Sequence, residues 1–334
     1  APAAILTIGH VAANNVSLKP PIECFLGIVI IAVNFIWRFS MYFFALRVLL
    51  KPRDPDLFQH SGEERCIEHF EQAIVHASKN IKRVSQTPSV HKNWQYRLKL
   101  SVAPTDGVMA GLISKQKKLH GYNEDFQEYN VPSFPPVVWL WDRQEQVILI
   151  ERKTTVFKSA HNAAIMFEEL SNNDYLVEKG LRIFIEPCLE KDNFWVEYDK
   201  LRHIEQVTFA LVMPNIFGDS KKALTDALNK IEDDTNATAL TTTFENKDGN
   251  LNLRDSTWAN VLVDWTNDGG GSWQIKGKKS PTAKSITLNS EPTAKLIFVD
   301  GSLSECTLSG YSANDVKDII SLVRKDYRFE KCKN

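Results

Sequence analysis

The chain has 334 residues, of which 43% are hydrophobic and 24% charged, and its formal net charge is −1 at pH 7. This length allows two or three domains with a sizeable core, and the near-zero charge excludes a global attraction to nucleic acid or anionic lipid, so any such binding needs a local patch. The five cysteines are scattered and form no Cys-x-x-Cys pair. That pattern indicates a reducing compartment, which we take to be the cytoplasm, and argues against a disulfide framework or a structural zinc site.

Residues 1–40 differ in character from the rest of the chain, because they have neither a helical nor a strand period. The apolar run 24–37 is shorter than the roughly 20 residues of a membrane helix. Extending it to Leu50 would place Arg38 near the bilayer centre, at a cost of about 3 kcal/mol. We therefore predict that 1–40 is a non-native upstream segment, that Met41 is the native start and that nothing inserts into a membrane. A genuine anchor is the alternative.

An N-terminal α+β region is predicted at 41–130. Its first strand, 42–50, should be closed by Lys51-Pro52, because proline cannot donate to a sheet ladder. Ser61 with Glu64 predicts the start of a helix. The inward face of that helix would carry Ile67, Phe70, Ile74, Ile81 and Val84, and its solvated face Glu68, Glu71, Lys79 and Lys82. Further elements are predicted in the order strand 94–102, strand 108–113 and a basic polar loop 114–130.

A central region is predicted at 131–235. It contains a hairpin of strands 137–141 and 147–152, and then a helix that Ser159 caps. The remaining elements are buried strands at 181–185 and 207–212 and a helix that begins at Asp219 or Ser220.

The C-terminal region, 236–334, is predicted to be α+β with a basic loop. A mobile loop is expected at 267–279, because it contains Gly269-Gly270-Gly271. The other elements are a strand at 238–244, a helix or strand at 258–265, a strand at 295–299 and a helix that begins at Ser312. Strands and helices alternate without a strict βαβ rhythm, so the predicted class is α+β, with mixed sheets, flanking helices and two to three subdomains.

The sharpest enzymatic pattern is Asp142 followed by Glu151-Arg152-Lys153. Metal-dependent nucleases of the PD-(D/E)XK type use an acidic residue and then Glu-x-Lys on the next strand, where two carboxylates hold Mg²⁺ and the lysine steadies water or phosphate. Asp142, however, falls at the hairpin turn, from which it would project away from Glu151. The simpler interpretation is a solvated strand end.

Two groups of basic residues are candidates for nucleic-acid contact, because lysines on exposed loops beside an aromatic ring suit the phosphate backbone. One group comprises Lys115, Lys117 and Lys118, with His120. The other comprises Lys276, Lys278, Lys279 and Lys284 beside Trp273. The alternative is that these lysines serve solubility and that Trp273 belongs to the core.

No cofactor or metal is expected from the sequence. The run Gly269–Gly271 is not a phosphate loop, because no Gly-Lys-[Ser/Thr] follows it. Cys66 and His69 lie one helical turn apart, but no second pair of metal ligands is evident.

An ordered series of short motifs between residues 131 and 230 resembles the RexA-like phage-exclusion proteins and related bacterial proteins. The series is Pro132-Ser133-Phe134, the hairpin, Thr155-Val156-Phe157, Ile185-Glu186-Pro187, and Pro214 with Phe217-Gly218-Asp219. The resemblance implies an antiviral, abortive-infection role for a cytoplasmic α+β protein that binds DNA, forms a homodimer and acts as a sensor with a partner that would be encoded in the same operon. It brings no catalytic residues.

The sequence therefore favours a non-enzymatic defence protein that binds DNA largely without sequence specificity, through the two lysine groups. A magnesium-dependent nuclease that uses Asp142, Glu151 and Lys153 is the first alternative. A protein-binding adaptor is the second.

Overall fold

The computed structural model describes residues 40–53, 66–79, 83–84, 95–212, 239–300 and 310–327, with single positions between 226 and 237. Residues 1–39, the predicted helix start at Ser61 and the predicted cap at Asp219 or Ser220 lie outside the described residues. The described strands and helices fall within one unit, Arg38–Asn334.

The described helices are α1 (Glu68–Lys79), α2 (Ala160–Ser171), α3 (Asp174–Glu178), α4 (Asn193–Asp199), α5 (Thr257–Asn267) and α6 (Ala313–Tyr327). The first seven strands are β1 (Ser40–Pro52), β2 (Arg83–Val84), β3 (Gln95–Thr105), β4 (Val108–Lys115), β5 (Lys117–Tyr122), β6 (Glu128–Ser133) and β7 (Pro136–Asp142). The remaining strands are β8 (Val147–Glu151), β9 (Leu181–Pro187), β10 (His203–Val212), β11 (Ala239–Glu245), β12 (Gly271–Lys278), β13 (Ile286–Asn289) and β14 (Leu296–Asp300).

An eight-stranded sheet, called here the large sheet, has the order β14-β1-β8-β7-β4-β3-β2, with β9 also paired to β1. The two halves of β1 pair with β14 and β9 on one edge, and β8 occupies the other edge. This sheet takes strands from all three predicted regions. The near-continuous apolar runs of β7 and β8 are typical of strands with both faces covered, and their residues are buried from Val137 to Trp141 and from Val147 to Ile150.

Helices cover the two faces of the large sheet. On one face, α1, α2 and α3 contribute Phe70, Phe167 and Leu176 to a core that includes Trp139 and Trp141. On the other face, α6 contributes Val316, Ile320, Val323 and Tyr327 to a second core. Ser159 caps α2 as predicted, because its side chain accepts a hydrogen bond from the Asn162 amide at 3.3 Å.

A four-stranded sheet, called here the small sheet, has the order β11-β10-β12-β13. Its inner side forms a third core with α4 and α5, centred on Phe194, Phe209 and Trp273. Its outer side is polar and exposed. The third sheet is the two-stranded pair β5–β6.

The α+β class is confirmed. Every ladder between the described strands is antiparallel, although mixed sheets were expected, and the bridge between Ile204 and Asn250 is parallel. The segment 258–265, which the sequence left undecided, is helical in α5. None of the described helices is both long and apolar enough to cross a bilayer.

Two predicted loops are wrong. The segment 114–130 contains β5 and the start of β6, and most of 267–279 is β12, a strand paired on both edges. The glycines of the second segment serve close packing rather than mobility. A Cβ on Gly270 would lie 2.2 Å from the indole nitrogen of Trp265, and one on Gly271 would lie 2.0 Å from the carbonyl oxygen of Ala210.

The predicted solvated position of Glu71 is also wrong, because its residue is only 1% exposed. Its carboxylate accepts hydrogen bonds from the Trp141 indole at 2.9 Å and from Arg143 Nε at 2.8 Å. A buried carboxylate is tolerated when it is paired and hydrogen-bonded, and here the partners come from β7 and the turn after it.

Candidate nucleic-acid interface

The connection between β4 and β7 is one long hairpin. Ser114 pairs with Pro136 at the end of the β4–β7 ladder, and Lys117 pairs with Ser133 at the start of the β5–β6 ladder. The same number of residues separates the two pairs on each strand, so the second ladder continues the register of the first. The segment 117–133, called here the ribbon, therefore extends about 20 Å beyond the large sheet, at about 3.3 Å per residue.

Register determines which side chains share a side of this hairpin, since partners in an antiparallel pair point to the same side and neighbours alternate. Arg97 pairs with Ser114, so Arg97 and Lys99 share the side of Ser114. Lys118 is four residues beyond Ser114 and lies on that side too. The Lys153 ammonium, from the segment after β8, donates to the carbonyl of Pro136, the register partner of Ser114, at 2.8 Å. We call Arg97, Lys99, Lys118 and Lys153 the basic face.

The cations of the basic face have little local neutralisation. Arg97, Lys99 and Lys118 are exposed, and Lys153 is partly exposed. Within the described part of the chain, none of the four forms an ion pair. The guanidinium carbon of Arg97 lies 4.4 Å from the centroid of the Phe134 ring, a cation–π contact that orients the charge without cancelling it.

Carboxylates near the basic face form no ion pair with its cations in the described part of the chain. Glu151, on the same side of the large sheet, accepts a hydrogen bond from the Val138 amide at 3.1 Å, and Glu128 lies 3.0 Å from the His120 ring. The acidic residues Glu124 and Asp125 lie in the turn at the far end of the ribbon. The positive potential is therefore concentrated where the ribbon leaves the large sheet.

The other side of the hairpin carries Lys115 and Lys117, so the first predicted lysine group is divided between two sides. The Lys115 ammonium lies 5.9 Å from the Tyr96 ring centroid. Burial, assisted by the charge of Glu169, raises the pKa of Tyr96 to about 12. Leu119, Tyr129 and Val131 are exposed on this apolar side.

The second predicted lysine group lies on the small sheet and the turn after it. The ammonium groups of Lys276 and Lys278 lie 3.9 and 3.2 Å from the carboxylate of Glu205. Hydrogen bonds from Ser285 and Lys278 lower the pKa of Glu205, so its negative charge persists beside the lysines. Lys279 and Lys284 are exposed in the connection between β12 and β13.

Trp273 is not available to stack on a base. It is 2% exposed, and its ring centroid lies 5.3 Å from that of Phe194 in the third core. Trp273 is buried because it lies between the exposed Ser272 and Gln274 on a half-buried strand, so its side chain points to the inner side of the small sheet. The alternative that the sequence left open, a core position, is the observed one.

Asp142 and Glu151 do not converge. Asp142 pairs with Val147 at the turn of the β7–β8 hairpin, and Glu151 lies four residues further along β8, about 13 Å along the strand. Lys153 lies with Glu151 at the other end. Within the described ranges, no group of three or more His, Cys, Asp or Glu side chains is placed to hold a metal ion. The geometry thus separates the predicted nuclease residues.

Asp142 has a structural environment. Its carboxylate is fully buried and accepts hydrogen bonds from Arg324 Nε at 2.8 Å, Arg324 Nη2 at 3.0 Å and the Tyr327 hydroxyl at 3.0 Å. Burial, together with the negative charge of Asp142, raises the pKa of Tyr327. These bonds fix α6 to the turn between β7 and β8.

Sequence reasoning missed Arg97 and Lys99 as site residues, because an alternating strand with charged outer positions is ordinary in any half-exposed sheet. A usable signal was present in the segment 114–130. The run 117–122 alternates weakly and is followed by a polar turn, which is compatible with a hairpin that prolongs the strand 108–113.

No protein-family model matches this chain, and no curated protein matches it with significant sequence similarity.

Proposed function

We propose that this protein binds duplex DNA through phosphate contacts made by the basic face: Arg97, Lys99, Lys118 and Lys153. The supporting observation is that strand register places Arg97, Lys99 and Lys118 on a single side, that Lys153 donates to Pro136 next to them, and that no described carboxylate pairs with the four cations. Lysine and arginine contacts to phosphate contribute affinity without sequence information. Binding should therefore be largely nonspecific.

The choice of DNA and the biological role rest on the RexA-like resemblance, since phosphate contacts alone do not distinguish DNA from RNA. In that role the protein acts in the cytoplasm as an antiviral sensor, as a homodimer and with a partner protein. The separation of Asp142 from Glu151 favours binding over cleavage.

The test is fluorescence anisotropy of a labelled DNA duplex with the full chain, repeated between about 50 and 200 mM salt. Four phosphate contacts predict a slope of about −3.6 for log K against log salt. Lys118→Ala should make the slope shallower by about one unit. Lys117→Ala is the matched control, because the neighbouring lysine points to the opposite side of the ribbon, and its slope should stay close to that of the unmodified chain.

Equal effects of Lys117→Ala and Lys118→Ala would contradict the assignment to one face. A duplex RNA of the same sequence, bound more tightly than the DNA, would contradict the choice of DNA. A chain that binds neither duplex, at any salt concentration tested, would favour the adaptor interpretation.

A further inference from the structure

A cleft of about 290 Å³ lies between the end of β9, the first turn of α2 and the outer side of the small sheet. Its floor is open because the residues there are small: Ala210, Gly271 and Ser272. Gly271 has φ +141°, and a Cβ at this position would lie 2.0 Å from the Ala210 carbonyl oxygen. No larger residue fits at Gly271 in this backbone conformation, so the packing of β12 on β10 itself preserves the space.

The lining of the cleft is polar and acidic. It includes Glu186, Glu291 and His161. The small sheet contributes groups that donate or accept hydrogen bonds, namely Thr208, Ser272, Gln274 and Asn289. None of the described residues that line the cleft is a lysine or an arginine. The lining is therefore complementary to a positively charged ligand.

Glu186 is the least satisfied acid of this site. Its desolvation, and secondarily the charge of Glu168, raise the pKa of Glu186 to about 7. In the described part of the chain, no donor or cation reaches its carboxylate. The ionised form of such a buried, unpaired carboxylate is stabilised when a cation binds beside it.

The groups around Glu186 do not supply that cation. On α2, Glu168 accepts a hydrogen bond from the Ile185 amide at 3.0 Å and lies 4.0 Å from Arg182. On β1, Arg47 is the register partner of Glu186, but its guanidinium donates to the carbonyl oxygens of Glu145 and Asp268. His161 of α2 and Glu291 complete the titratable groups that line the cleft with Glu186.

We propose that this cleft binds a small organic molecule with a primary ammonium group, which pairs with Glu186 while Thr208, Gln274 and Asn289 hydrogen-bond its polar part. This site is separate from the basic face and does not depend on DNA binding. Aliphatic amines of the putrescine type, which are short and positively charged at neutral pH, provide the simplest probe.

The experiment is isothermal titration calorimetry of the full chain with putrescine, compared with 1,4-butanediol, which has a similar chain but hydroxyl groups in place of the ammonium groups. Putrescine should bind and butanediol should not. Because the pKa of Glu186 is about 7, its ionised fraction rises about tenfold from about pH 6 to about pH 8, and the putrescine affinity should rise by the same factor.

Two variants test the site itself. Glu186→Gln should abolish both the affinity at about pH 8 and the pH dependence, whereas Glu178→Gln on the exposed side of α3 should change neither. Ser272→Phe fills the floor without a change of charge and should remove binding at both pH values, which keeps the test decisive if Glu186→Gln does not fold. Absence of putrescine binding, butanediol binding of equal strength, or full binding by folded Glu186→Gln would overturn the proposal.

Discussion

Charged side chains gather at both ends of the β7–β8 hairpin, and the two ends use them differently. At the turn, Asp142 is fully buried and is held by Arg324 and Tyr327. At the other end, Lys153 and the rest of the basic face remain accessible to solvent without ion pairs in the described part of the chain. Charged side chains thus hold helix and strand together where they are buried and paired, and are available to bind a ligand where they are not.

A second network at the turn supports this distinction. Arg143 donates to Glu71 at 2.8 Å and to Glu68 at 2.9 Å, so it ties α1 to the hairpin from the opposite face of the large sheet. The turn is therefore fixed to helices on both faces. The ribbon end has no equivalent among the described residues, since β5 pairs with β6 alone.

The largest effect is expected from Asp142→Ala. The substitution leaves Arg324 and Tyr327 without their shared carboxylate in a largely buried position, and loss of one partner of such a pair costs about 3–5 kcal/mol. We expect the free energy of unfolding, measured by urea titration, to fall by about that amount.

Lys317→Ala is the matched control for Asp142→Ala. Lys317 of α6 pairs with the exposed Asp106 at 2.9 Å, and alanine suits a helix, whereas Asp106 itself has φ +52°, which alanine disfavours. Exposed pairs contribute little, so the urea midpoint should hardly move. If both alanine variants lower the free energy of unfolding by the same amount, burial does not determine how much an ion pair contributes to stability.

This contrast also shows what the sequence could predict. The apolar runs of β7 and β8, the alternation of β3 and the cap at Ser159 are local signals, and each element lies where they indicated. Asp142 and Glu151 are separated along the strand, although both side chains lie on the same side of the hairpin. Local pattern was sufficient for these elements because their own residues determine the period.

Some of the failures involve partners distant in sequence, whereas the ribbon, predicted as a loop, pairs β5 with the neighbouring β6. Glu71 occupies a polar helical position, and only its contact with Trp141 and Arg143, some 70 residues away, makes burial favourable. The glycines Gly270 and Gly271 predict a flexible loop from local sequence alone. In the structure they allow close packing against Trp265 and Ala210. The basic face requires the register of β3, β4 and the ribbon together, which no single segment specifies.

Replacement of the ribbon, 117–133, by Asn-Gly tests the other end of the hairpin. Gln116 and Phe134 would then flank a two-residue turn of the type that suits antiparallel strands. The ribbon adds no residue to the three cores, so the free energy of unfolding should change by less than about 1 kcal/mol. DNA affinity should fall several-fold, because Lys118 is removed from the basic face.

The control for the ribbon replacement is Glu124→Gln combined with Asp125→Asn, which neutralises the far turn and leaves Lys118 in place. This double variant should bind DNA at least as tightly as the unmodified chain. A large loss of stability after ribbon replacement would show that the ribbon belongs to the folded core after all.

The smallest effect is expected from Lys276→Ala combined with Lys278→Ala, which removes two cations of the small sheet. Glu205 lies 3.9 and 3.2 Å from these ammonium groups, so the local charge is already partly neutralised and DNA affinity should change less than about threefold. Glu205→Gln is the informative counterpart: it frees both lysines and should increase DNA affinity and steepen the salt dependence. If the lysine pair instead proves as important as Lys118 in the same anisotropy assay, the small sheet contacts DNA directly, and the contrast between paired and unpaired cations no longer predicts where this protein binds.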